Sequence, residues 1–101
     1  MTETATTAPR PLLDICKEIR KTWVDKKGVT KIRPDGPGFG AVPYFSAMLS
    51  VATSGDDNNK YFEDDIKSIV IYFLSNAASF TGPDARRIKL ELKAKYKIGT
   101  K

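Results

Sequence analysis

Apolar residues recur at spacings of three and four in four separate stretches of this chain. That periodicity constrains the fold more than any other feature. Leu12, Ile15, Cys16, Ile19 and Trp23 make the first stripe, which predicts a helix from about Pro11 to Val24 with Pro11 in its first turn. Tyr44, Phe45, Met48, Leu49 and Ala52 make the second, from Pro43 to about Ala52. Phe62, Ile66, Ile69, Val70, Phe73, Leu74 and Ala77 predict a third helix from about Lys60 to Ala77. Ile71 and Tyr72 widen that face, so burial on most sides is expected. Glu63, Asp64 and Asp65 would lie in its first turn or two, where the helix dipole favours anions. Residues 68–73 favour a strand locally, but length and periodicity decide for helix. A fourth helix starts at Thr81-Gly82-Pro83-Asp84, which resembles a capping box with Pro83 in the first turn. Ala85, Ile88, Leu92 and Tyr96 face inward, and Gly99 ends the pattern.

Between the first two stripes, residues 25–40 carry Gly28, Pro34, Gly36, Pro37, Gly38 and Gly40. Regular structure is not expected there, apart from a short extended piece at Val29 and Ile32. Ser75 and Asn76 should end the third helix. Trp23, Tyr44, Phe45, Phe62 and Phe73 are read as core, with one or two of them available as an exposed anchor. The expected architecture is all-α: a small bundle of about four helices with one long basic Gly/Pro-rich loop (25–41) between the first and second. Residues 10–98 form one domain, and residues 1–9 form a flexible tail.

Composition narrows the chemistry. The 101 residues include no histidine and a single cysteine, Cys16. Histidine-based catalysis and imidazole zinc sites are excluded, as are intrachain disulfides and multi-cysteine metal clusters. Cys16 reads as a small buried hydrophobe rather than a nucleophile. Asp56, Asp57, Asp64 and Asp65 lack the alternation of an EF-hand loop and read as helix-start residues. Gly36 to Gly40 lacks the Gly-Lys-Ser/Thr of a phosphate-binding P-loop. No apolar run reaches the roughly 20 residues that cross a bilayer, and residues 1–8 lack signal-peptide character. No enzyme activity, cofactor, metal or small-molecule substrate is expected. Sparse cysteine suggests a reducing cytoplasm.

Charge lies in blocks. Residues 17–33 carry a net +5, residues 56–65 a net −4 and residues 82–101 a net +5, on a chain of net charge +5 overall. Two candidate binding surfaces follow. Lys26, Lys27, Lys31 and Arg33, with Phe39, form a basic loop carrying one aromatic residue. It could grip a partner or be a plain connection. Arg86, Lys89, Lys93 and Lys97 fall at spacings of three, four and four, a basic helical stripe able to meet phosphates or simply to be solvated.

Tyr72-Phe73-Leu74-Ser75-Asn76-Ala77 and Gly82-Pro83-Asp84-Ala85-Arg86-Arg87-Ile88-Lys89 resemble a small protein family common in bacteriophages of mycobacteria and related actinobacteria. Ile15 to Trp23 and Phe39 to Phe45 add to the likeness, which spans about residues 12–95. The resemblance implies phage origin and action in the host bacterial cytoplasm, without assigning an activity or site. The expectation is a non-enzymatic interaction protein that binds and modulates a host protein, steered by its basic faces. The alternative is a non-specific nucleic-acid-binding accessory protein using the fourth helix and the basic loop.

Overall fold

The computed structural model describes residues 10–33, 38–61 and 64–98. The expected tail, the middle of the Gly/Pro loop, Phe62, Glu63 and Gly99 lie outside the described residues. The fold is an all-α bundle of four helices: α1 (Leu12–Thr22), α2 (Val42–Thr53), α3 (Ile66–Ser75) and α4 (Pro83–Tyr96). A 3-10 turn, Phe39–Ala41, leads into α2. The middle helix α2 packs on both α1 and α3, and α4 lies along α1 with a smaller contact to α3.

The stripes close into one core. Leu12, Ile15, Cys16 and Ile19 of α1 meet Phe45, Met48 and Val51 of α2, Ile69, Val70 and Phe73 of α3, and Ala85, Ile88 and Leu92 of α4. The Phe73 ring lies 6.3 Å from that of Phe45 and 6.4 Å from that of Trp23. Phe80, which the periodicity did not single out, is 2 % exposed and belongs to this core.

Several expectations need correction. The third helix begins at Ile66, not Lys60. Tyr61 and Asp64 exchange backbone hydrogen bonds of 2.9 and 3.1 Å, so the chain turns sharply there. Asp65 then caps the helix, its carboxylate accepting from Ser68 N–H at 2.8 Å. Asp64 therefore precedes the helix and Asp65 caps it. Burial on most sides also fails: Ile71 is 37 % and Tyr72 52 % exposed, because only one side of α3 is covered.

At α4 the capping box is not formed. Gly82 is the N-cap, at φ +106°, with no side-chain cap. A left-handed Lys97 ends this helix, before Gly99 is reached. Helix α1 starts after Pro11, its N-cap, and stops at Thr22, because Val24 pairs with Thr30 in an isolated antiparallel bridge. The extended piece expected at Val29 and Ile32 is reduced to this bridge at Thr30, and Ile32 beyond it is buried. Ser75 and Asn76 do end α3, donating side-chain hydrogen bonds to Ile71 O and Tyr72 O.

Candidate interaction surface

Trp23 organises one end of the bundle. Its N–H donates to Ile19 O at 2.9 Å, closing α1. Its indole stacks on Phe80, with centroids 4.9 Å and planes 20° apart. Its carbonyl accepts from Lys31 N–H at 2.8 Å, and Lys31 O accepts from Gly38 N–H at 3.0 Å. Gly38 is pressed into this junction. A Cβ there would sit 2.8 Å from Lys31 O and 3.1 Å from Trp23 Cη2. The loop, the 3-10 turn and the α3–α4 corner therefore meet on one indole. Among the described residues its Nε1 has no hydrogen-bond partner.

The basic loop is fixed where it is described. Asp25 Oδ1 accepts from the N–H groups of Lys27 and Val29, at 2.9 and 3.0 Å. These bonds hold its carboxyl below the ordinary range, the Val29 bond contributing most. Gly28, at φ +83°, makes the tight turn possible. Lys26 and Lys27 are exposed at its tip, and Lys31 is half-buried. The Arg33 guanidinium donates to Thr30 O and lies 3.9 Å from Asp25. It braces the loop rather than reaching outward.

The expected stripe on α4 is broken. Lys89 Nζ donates to Ala77 O at 2.8 Å and lies 5.8 Å from the Phe80 ring centroid. This cation satisfies a carbonyl just past the end of α3, where the dipole favours it. Burial, then Lys93, lowers its pKa. Arg86, Lys93 and Lys97 stay exposed. Arg86 and Lys89 share an open cleft of about 250 Å³ with Phe80, Thr81 and Gly82. Lys97 lies at the far end of α4.

Phe39 is the most exposed large hydrophobic residue described, at 63 %. Its position is nevertheless fixed. Gly38 precedes it against Trp23, and a Cβ on Gly40 behind it would lie 3.1 Å from Asn76 Oδ1. The Asn76 amide donates to Tyr72 O at 2.8 Å. Tyr72, itself half-exposed, leans on Tyr44 at 5.5 Å between centroids. The 3-10 turn thus packs against α3 at Asn76.

Two charged clusters escaped the sequence reading. Arg10 pairs with Glu91 at 2.7 Å and Glu18 at 2.6 Å, and Glu18 also binds Arg87. Asp57 accepts from Leu12 N–H at 2.8 Å and pairs with Lys95 at 3.0 Å. Tyr96 Oη donates to Asp57 O at 2.8 Å. Both clusters join residues far apart in sequence, so local spacing could not show them. The available signal was that Glu18 and Glu91 are isolated acids within basic blocks. Asp57 is spent on the α1 N-terminus and Asp65 on that of α3. The described residues hold no group of three or more metal-ligating side chains. Burial pushes the Cys16 thiol up to about 12, so it stays protonated inside the core. No described helix is long and apolar enough to cross a membrane. No family model, curated protein or solved structure matches the chain.

Proposed function

We propose that this chain is a non-enzymatic interaction module that binds a host bacterial protein and alters its activity, with Phe39 as the anchor. The observation that carries this reading is the exposed Phe39 ring on a fixed 3-10 turn. Aromatic anchors dominate interface energetics, and a fixed backbone lowers the ordering cost of binding. Lys26 and Lys27, exposed on the neighbouring loop, would raise the encounter rate with an acidic partner. The resemblance to actinobacteriophage proteins read from residues 12–95 would imply that this target lies in the host bacterial cytoplasm.

Non-specific nucleic-acid binding is the weaker reading. Lys89 and Arg33, two of its expected phosphate contacts, are spent on backbone carbonyls. Affinity capture from nuclease-treated actinobacterial lysate, at about 150 mM salt, separates the two readings. One stoichiometric protein held by the natural chain and lost from Phe39→Ser is expected. Nucleic acid retained without nuclease, with no protein retained after it, would overturn the reading.

A further inference from the structure

The outer face of α4 offers a second contact surface. Placing Leu90 at its centre, a helical period brings Pro83, Arg86, Arg87, Lys93, Ala94 and Lys97 within one side of the helix. All seven residues are exposed, and Leu90 is 59 % exposed. The acids of α4 fall outside this face: Glu91 turns to Arg10 and Asp84 pairs with Arg87. Arg86, Lys93 and Lys97 therefore surround one solvent-facing leucine, with the fourth cation, Arg87, already neutralised by Glu18 and Asp84. From Arg86 to Lys97 the ridge is about 16 Å long.

We infer that this face of α4 docks onto an acidic protein surface with an apolar recess for Leu90. The inference rests on the protein-binding reading above and names the chemistry of the partner. Charge selects an acidic partner. Leu90 favours a protein over the phosphate backbone that the cations alone would meet, since that backbone gives a leucine no apolar surface to bury against. Arg87 is already tied to Glu18 and Asp84, so Arg86, Lys93 and Lys97 are left for the partner. A lipid surface fits poorly, since an interfacial helix needs a broad apolar face and this ridge has only Leu90 and Ala94.

Site-specific photocrosslinking tests this in the full chain. A benzophenone amino acid is placed at position 90, and separately at position 39, and each variant is irradiated in nuclease-treated actinobacterial lysate. Far-UV circular dichroism confirms the fold. Position 90 should crosslink to a protein at a peptide rich in Asp and Glu. The yield should drop at least tenfold when Arg86→Glu and Lys93→Glu are added. A crosslink from position 90 to nucleic acid in untreated lysate, to a second copy of this chain, or to a peptide without acidic residues overturns the inference. So does a crosslink from position 39 alone, which leaves the Phe39 reading standing. Crosslinks from neither position remove both.

Discussion

The Trp23 indole lies stacked on the Phe80 ring, with centroids 4.9 Å apart, and this contact ties the end of α1 to the corner between α3 and α4. Both rings are 2 % exposed, so each loses its main partner if the other is shortened. Phe80→Ala is expected to destabilise the fold by about 3–5 kcal/mol, the range for emptying a buried aromatic site. Trp23→Phe should cost less, because it also removes an indole N–H with no partner among the described residues. Denaturant midpoints of the two variants check this order, and an equal loss would contradict it.

The two glycines flanking Phe39 should respond differently to a methyl group. At Gly38 the added carbon meets the Lys31 backbone carbonyl at 2.8 Å, and backbone cannot step aside cheaply. At Gly40 it meets the Asn76 side chain at 3.1 Å, which can turn away. Gly38→Ala should destabilise by about 1–3 kcal/mol, the range for overpacking. Gly40→Ala should cost under about 1 kcal/mol. Thermal unfolding of both variants decides the matter.

Asp57 takes the place of a local cap for α1, whose N-cap is Pro11 with no capping side chain. Asp57→Ala should cost about 1–2 kcal/mol, as for loss of an N-cap with an added ion pair. Asp57→Asn keeps an acceptor for Leu12 N–H and loses the charge opposite Lys95. It should recover part of that loss, and recovery of nothing would show that the Lys95 pair dominates.

Acid should weaken the α1–α4 lock. The Arg87 guanidinium holds the Glu18 carboxyl below the ordinary range, with Arg10 adding to it, and Arg10 does the same for Glu91. The unfolded chain therefore takes up protons at these sites before the folded one does. Their contribution is complete above the ordinary glutamate range of about 4.3 and is lost as pH falls through the depressed folded values. Between about pH 6 and pH 3 the natural chain should lose more stability than Glu18→Gln/Glu91→Gln. Parallel curves would show that the cluster contributes nothing measurable.

Much of the fold was legible because helical periodicity records which side chains face inward. The inward residues of α1 and α4 follow from spacing alone, from Leu12 to Trp23 and from Ala85 to Tyr96. The start of α3 was not legible, since Asp65 capping and the Tyr61–Asp64 turn override a longer apolar pattern. Phe80 sits in a turn, where no period marks it as core. Of the candidate site, the exposure of Lys26, Lys27 and Phe39 agrees with a surface loop. The use of Lys89 on Ala77 O depends on how α3 and α4 meet, which local sequence does not encode.

Phe39 is the centre of the functional reading, and its affinity contribution is the most direct test. The host protein captured by the natural chain would be purified, and its binding to the natural chain and to Phe39→Ala compared by calorimetry. A buried aromatic anchor contributes about 2 kcal/mol or more, so affinity should fall by about 30-fold or more with an unchanged fold. A change of less than about threefold would contradict the account and place the contact elsewhere on the molecule.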